Sequence, residues 1–146
     1  MEVLDKNGLD YFWDKIKSYI DEQTKNVMNK TVLYNNPNGA AGNITLNDNL
    51  SNYDYIEIYY ENPTFNMWGS SKIDNPNGKF MSLTVGMRYD VTGSYYTYFR
   101  DITLANARID NLYGGYFAVR VDGSIEFFNT GNYISITKVI GYKEKQ

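Results

Sequence analysis

The side chains best suited to catalysis in this sequence are carboxylates on predicted strands. Glu57, Glu61 and Glu126 are each flanked by aromatic residues, and paired carboxylates hydrolyse glycosidic bonds. Glu57 and Glu61 share one strand face, where four residues span about 13 Å, whereas the two glycosidase mechanisms need carboxylates roughly 5 to 9.5 Å apart. We therefore interpret the pair as part of a solvated strand face, and a polysaccharide depolymerase fragment is the least favoured function.

Most other catalytic and metal-binding chemistries lack the residues that they need. The chain contains no Cys and no His, which removes thiolate nucleophiles, zinc sites and the side chain most used for proton transfer near neutral pH. The oxygen-bearing residues Asp48, Asn49, Asn52 and Asp54 crowd one loop, but their spacing does not follow the calcium-binding loop. We therefore expect a protein that is not an enzyme and that holds no metal or cofactor.

Aromatic side chains are the remaining candidates for a binding function. Aromatic residues make up 16% of the chain, and 15 residues are Tyr. Exposed rings beside small polar residues can stack on sugars while Asn and Ser side chains bond the sugar hydroxyls. The candidate ligand contacts are Tyr59, Trp68, Tyr96 and Tyr98. The alternative is that half of each aromatic cluster belongs to the core.

Charge and hydropathy make two classes of partner improbable. The formal net charge is -3, so no excess of basic residues is present to neutralise a phosphate backbone, and no nucleic acid is expected. Residues 1–8 are polar and acidic, and no run of 18 apolar residues occurs. The sequence therefore predicts no signal peptide and no membrane insertion.

The N-terminal segment, residues 1–30, is predicted to contain a helix with a coiled-coil seam. Apolar residues recur at alternating spacings of four and three, with polar Gln23 between the last two. The proposed oligomerisation residues are Leu9, Trp13, Ile16, Ile20 and Val27. Fewer than three heptads are marginal alone in water, so the seam packs either on the protein's own sheet or on copies from neighbouring chains. A polar seam residue can set the register between chains, which favours the second alternative.

Residues 31–146 read as a β-rich head domain. Strands are predicted at 31–34, 43–46, 53–61, 67–73, 80–88, 95–103, 107–113, 116–121, 124–128 and 133–142. Asp122-Gly123 predicts a hairpin, and Gly114-Gly115 predicts a second one. The turn spacing and the absence of a second helical pattern predict an all-β, antiparallel sandwich or jelly roll preceded by the coiled-coil-type helix.

Several segments resemble tail-fibre and receptor-binding proteins of phages and prophages of Gram-positive, often gut, bacteria. The opening LDKNGLDYFWDKIK, residues 4–17, is similar to the segment DKNGL-x-YFW-x-KIK of those proteins. The later segments VLY (32–34), YIEIYY (55–60), NPNGK (75–79) and YISITKVIGY (133–142) resemble their β-rich C-terminal module. These segments extend over nearly the whole chain, and none of them is catalytic.

The resemblance implies a homotrimer in which three helices form a short stalk and the β modules form a head that contacts the host. The expected partners are a cell-surface glycan or protein and other tail proteins. The expected location is the virion, after synthesis in the bacterial cytoplasm without a signal peptide. A structural baseplate or fibre-adaptor subunit that binds only other virion proteins is the main alternative function.

Overall fold

A computed structural model describes residues 6–25, 28–89, 91, 93–129 and 131–144. The protein is mostly β, with 60% of residues in strands, and it has one N-terminal helix. The helix α1 spans Lys6–Lys25. The strands are β1 Asn29–Ala40, β2 Ile44–Thr45, β3 Tyr55–Asn62, β4 Met67–Asp74, β5 Lys79–Tyr89, β6 Ser94–Ala105, β7 Arg108–Val119, β8 Ile125–Phe128 and β9 Ser135–Lys143.

The strands form two antiparallel sheets. Sheet A has the order β1-β9-β3-β4, and sheet B has the order β2-β7-β6-β5, with β8 also pairing with β7. Along the chain, β1 belongs to sheet A, β2 to sheet B, and β3 and β4 again to sheet A. The next four strands, β5 to β8, belong to sheet B, and β9 lies in the middle of sheet A. The predicted all-β class with antiparallel pairing is confirmed.

Both sheets contribute side chains to one apolar core. In β3 the buried residues Ile56, Ile58 and Tyr60 alternate with more exposed ones, as expected when successive side chains of a strand point to opposite faces. Sheet B supplies Leu83, Val85, Ile102, Leu104 and Ile109 to the same core cluster. The inner faces of both sheets therefore belong to the same core.

The seam of α1 is not covered by the sheets. Leu9, Trp13 and Ile20 are 47%, 53% and 52% exposed, and Ile16 is half-buried. The fifth proposed seam residue, Val27, lies outside the described residues. Within the described ranges, no helix combines the length and the apolar character needed to cross a membrane.

Of the two glycine-containing hairpins that the sequence predicts, one is confirmed and the other is wrong. Asp122-Gly123 joins β7 to β8, with Gly123 at φ 84° and the Arg120 amide donating to the Ser124 carbonyl at 2.8 Å. Gly114-Gly115 instead lies inside β7. A Cβ on Gly115 would lie 1.9 Å from the carbonyl oxygen of Phe128. These glycines therefore allow a close backbone approach rather than a turn.

Candidate ligand-binding face

The solvent side of sheet A gathers aromatic and polar side chains on one surface, which we name face A. On β3 they are the residues that alternate with the buried Ile56 and Ile58, and their cross-strand neighbours lie on β4 and β9. Face A consists of Tyr55, Glu57, Tyr59, Glu61, Trp68, Ser70, Lys72, Ser135, Lys138 and Tyr142. Strand alternation therefore places two of the four predicted contact residues, Tyr59 and Trp68, on the same surface.

Glu57 is the centre of the hydrogen bonding on face A. The hydroxyls of Tyr59 and Tyr142 both donate to its Oε2 atom, at 2.8 and 2.7 Å. The Tyr142 bond first, and then the Tyr59 bond, lowers the pKa of the Glu57 carboxyl below its usual value. The same bonds raise the pKa of both tyrosine hydroxyls. Glu57 is therefore held as a carboxylate, which makes it a poor general acid and fixes the orientation of the two rings.

One end of face A is already occupied by contacts within the chain. The rings of Tyr55 and Tyr142 stack with centroids 4.5 Å apart and an interplanar angle of 12°. The Lys72 ammonium lies 4.0 Å from the Tyr55 ring centroid and 3.4 Å from a carboxylate oxygen of Asp74. These stacking and cation–π contacts cover much of the ring surface at this end.

The other end of face A presents an uncovered indole. Trp68 is 70% exposed on the edge strand β4, opposite Glu61. Its neighbour Gly69 has no Cβ, and this allows the Tyr60 ring to lie across the inner side of β4, where an added Cβ would be 2.5 Å from a ring carbon. The Tyr60 hydroxyl is 3.1 Å from the Ser71 hydroxyl. Tyr60 therefore contacts β4 from the core side of the sheet, and Trp68 lies on the solvent side of the same strand.

Tyr59 lies next to Trp68 on the adjacent strand. It is 36% exposed, and its cross-strand neighbours are Ser70 on β4 and Lys138 on β9. Trp68 is two positions from Ser70, so the two rings are diagonal neighbours on one sheet face, within reach of each other for aromatic side chains. The pair is surrounded by a hydroxyl, an ammonium and the Glu61 carboxylate. This combination of apolar rings and polar rim is typical of sugar-binding surfaces.

The other two predicted contact residues lie on the core side of sheet B. Tyr98 is only 5% exposed, and its ring centroid is 5.2 Å from Phe65 and 5.3 Å from Tyr133. Tyr98 therefore lies in the core rather than on an exposed surface, because the inner face of β6 is aromatic as well as its outer face. Tyr96 is half-buried and accepts a hydrogen bond from Arg120 at 3.1 Å, and it is not part of face A.

The candidate carboxylates are dispersed. Glu57 and Glu61 are four residues apart on β3, about 13 Å along the strand. Glu126 lies on β8 in the other sheet, where its Oε2 atom accepts from Arg120 at 2.5 Å. The structure therefore does not bring Glu126 together with the carboxylates of β3.

The carboxylates of Asp48 and Asp54, in the loop that carries four oxygen-bearing residues, accept hydrogen bonds from other groups of the chain. Asp48 accepts from the Asn49 amide at 2.7 Å, from Asn52 at 2.9 Å and from the Tyr53 hydroxyl at 2.8 Å. The Tyr53 bond contributes most to lowering the pKa of Asp48. The Asp54 carboxylate accepts from the Glu144 amide at 2.7 Å. Across the part of the chain that the structure describes, no group of three or more potential acidic ligands is gathered for a metal ion.

One short motif was missed in the sequence. Ser135-Ile136-Thr137-Lys138 has the S-x-x-K spacing, which brings serine and lysine together on a helix. Here it lies in β9, where Ser135 is opposite Glu61 and Lys138 is opposite Tyr59. Two cross-strand rows separate them, roughly 7 Å along the strand, so the helical geometry in which this motif joins serine and lysine is not formed.

A second aromatic surface, on the solvent side of sheet B, was also missed, and we name it face B. It consists of Tyr95, Phe99, Tyr113, Phe117, Val119, Ile125 and Phe127. Phe99 is at its base, with ring centroids of Phe117 and Phe127 at 5.2 and 5.6 Å. The signal in the sequence is that one face of the β7–β8 hairpin is apolar on both strands, with Phe117 and Val119 on β7 opposite Phe127 and Ile125 on β8.

Comparison of the sequence with protein-family models and with curated proteins finds no match. The function must therefore be argued from these two faces and from the chemistry that each can perform.

Proposed function

We propose that the protein is a non-catalytic receptor-binding component of a phage tail, whose head binds a cell-surface glycan through face A. The observation that carries this proposal is the exposure of Trp68, 70%, beside Tyr59 on a surface rimmed by Ser70, Glu61 and Lys138. The tail location follows from the resemblance of the N-terminal and β segments described above.

The physical basis is the match between this surface and a sugar ring. A pyranose presents an apolar face of C–H groups and an edge of hydroxyls, so it is bound by a ring below and by hydrogen-bonding groups at the side. Tyr59 is held by its bond to Glu57 at 2.8 Å, so little side-chain freedom is lost when a ligand binds. Trp68 supplies the larger stacking area, and Ser70 and Glu61 supply hydrogen-bonding groups.

The assembly that we propose is a homotrimer with a helical stalk. Three copies of α1 bury the seam of Leu9, Trp13, Ile16 and Ile20, which is partly exposed in the single chain. The two sheets of each head stack as a β-sandwich, supported by the core that both sheets share. In this arrangement the stalk holds the heads together and the head contacts the host.

A structural adaptor that binds only other virion proteins is the second candidate function. Face B favours it, because exposed apolar surface of this kind commonly marks a protein–protein contact. The two functions differ in which face is occupied, so they are separable by experiment.

The test is binding of the full chain to purified cell-wall polysaccharide from Gram-positive bacteria. Trp68→Ala is expected to raise the Kd at least about tenfold, equivalent to roughly 1.4 kcal/mol. The matched control is Phe80→Ala, which removes a ring that is 60% exposed on the other sheet, and it is expected to leave the Kd unchanged.

Two outcomes would contradict the proposal. Wild-type affinity in Trp68→Ala, with saturable binding by the wild type, would show that the glycan binds elsewhere. A wild type that binds no polysaccharide but captures tail proteins would favour the adaptor.

A further inference from the structure

We infer that face B is a contact between copies of this chain, in which face B of one copy lies against face B of its neighbours. The inference deepens the proposed trimeric assembly and rests on it. It is independent of glycan binding, which uses the other sheet.

The first argument is the size of the surface. Apart from the buried Phe99, the side chains of face B are between 39% and 70% exposed. With about 150 to 250 Å² for each large aromatic side chain, the exposed area of the face is roughly 500 Å². A stable interface takes about 800 Å² from each partner. Face B therefore supplies more than half of the surface area that each partner buries in a stable interface.

The second argument is the helix. A seam of fewer than three heptads is marginal as the only source of association, and the exposed residues of α1 supply area of the same order as the missing part. Face B and the seam of α1 are both apolar and both largely exposed in the single chain. Together they reach the area of a standard interface, which neither reaches alone.

The third argument is charge. The chain carries a formal net charge of -3, so copies that approach one another repel unless their contact avoids charged groups. The seven residues of face B are uncharged, and Asp101 at one end is buried, with the Ser82 hydroxyl donating to its Oδ1 atom. At the other end the backbone of Arg88 pairs with that of Tyr95, so the uncharged area ends there. A partner for such a face must itself be apolar, and a second copy of face B meets this requirement without placing like charges together.

The same face can contact itself in a closed assembly. In a two-fold dimer identical patches face each other, whereas in a three-fold trimer only the residues next to the axis meet their own copies and the rest of the patch meets different residues of the neighbour. Ile125 is the most exposed residue of face B, at 70%, and its cross-strand partner in this part of the face is Val119. We place this part at the contact, where substitutions have the largest effect.

The experiment measures mass by light scattering after size-exclusion chromatography, over a range of concentrations of the full chain. The wild type is expected near 51 kDa, about three times the chain mass of 16.9 kDa. Ile125→Lys and Ile125→Glu are each expected to raise the dissociation constant of the assembly at least about tenfold, because each places like charges in an apolar contact. Trp68→Lys is the matched control, since Trp68 is also 70% exposed but lies on face A.

Mixing the two variants is the decisive step. If face B contacts face B, an equimolar mixture of Ile125→Lys and Ile125→Glu is expected to have a lower dissociation constant than either variant alone, because each mixed trimer has two contacts between opposite charges and only one between like charges. A mixture that remains dissociated would overturn the same-face contact. Phe127→Lys, at a second exposed position, repeats the test, and thermal unfolding identifies any variant that has lost its fold.

The remaining outcomes are also distinguishable. A monomeric wild type, or an Ile125→Lys variant with unchanged mass and dissociation constant, would overturn the inference. Neither result bears on polysaccharide binding, which depends on Trp68. Conversely, loss of polysaccharide binding with an intact assembly would refute the proposed glycan function and leave the contact through face B standing.

Discussion

Replacing Arg100 is expected to be among the most destabilising single changes in the head. Its side chain is 0% exposed and donates to four acceptors. Nη1 donates to the carbonyls of Ala40 at 2.6 Å and Ile134 at 3.0 Å, Nη2 donates to Gly42 at 2.6 Å, and Nε donates to Asn111 at 2.9 Å. Arg100 thus connects β6 with the segment after β1, the segment before β9, and β7.

The magnitude follows from opposing contributions. Each hydrogen bond from a charged donor contributes about 1.5 to 3 kcal/mol, and burying the guanidinium costs several kcal/mol. Burial lowers the pKa of Arg100 to about 10, so the group stays protonated at neutral pH. Arg100→Met removes all four bonds and leaves the Ile134 carbonyl buried without this partner, while water can reach the other three, part-buried acceptors. We expect a loss of about 2 to 4 kcal/mol.

The assay is urea unfolding at neutral pH, which gives the midpoint and the m-value. Arg100→Met is expected to lower the midpoint with an unchanged m-value. Arg108→Met is the control, because Arg108 forms an exposed ion pair with Asp110 at 2.6 Å and such pairs contribute about 0 to 1 kcal/mol. Equal stabilities of Arg100→Met and Arg108→Met would refute the reasoning, since the four hydrogen bonds of Arg100 would then have no net effect on stability.

Two further predictions concern the strands. Gly115→Ala is expected to destabilise the head by about 3 kcal/mol because its Cβ would lie 1.9 Å from the Phe128 carbonyl oxygen. The control is Gly86→Ala, which is expected to leave the stability unchanged because the nearest atom to its Cβ is 3.7 Å away. Equal thermal midpoints for the two variants would contradict this prediction. Tyr142→Phe is expected to destabilise the protein at neutral pH, and the difference in stability from the wild type should shrink as the pH falls below about 4.5. The pKa of Glu57 is lowered in the folded protein, so its ionised carboxylate stabilises the fold, and this contribution is lost as the carboxylate is protonated. Unfolding in urea between pH 7 and 3 measures this difference, and a constant difference across that range would count against the role of Glu57.

Local patterns in the sequence were sufficient to predict several elements. The alternation in β3 separates Ile56 and Ile58 from the residues of face A, because a strand with one buried face shows period two directly. The Asp122-Gly123 hairpin is also a local feature, since its backbone conformation depends on the glycine itself. Tyr59 and Trp68 could be predicted as surface residues for the same reason.

Features that depend on distant neighbours could not be predicted in this way. Gly114-Gly115 has the composition of a turn, and only the approach of Phe128 shows why it is extended. In β6 both faces carry aromatic residues, so the sequence does not show that Tyr98 is inside while Tyr95 is outside. Arg100 lies among these aromatic residues, and its acceptors are more than ten positions away along the chain.

The aromatic rings of the two faces make different kinds of contact within the chain, and this difference supports separate roles for the two faces. On face A the tyrosine hydroxyls bond to Glu57, and a lysine covers one ring, so the surface is rigid, polar at its edges and stable in water. On face B the rings contact mainly one another, and much of their area remains in water. Apolar area of that extent is stabilised by another apolar surface rather than by a sugar.

Because face A and face B lie on different sheets, association through face B would leave every copy of face A open. Each head would then carry one shallow site, and a shallow site with a single exposed indole supports weak affinity for one sugar. Linking three such sites raises the effective local concentration for a repeating surface polysaccharide, and the combined affinity can exceed that of one site by a factor of about 10² to 10⁴ without any new contact. Weak individual sites on an assembled head are therefore compatible with firm attachment to a cell surface.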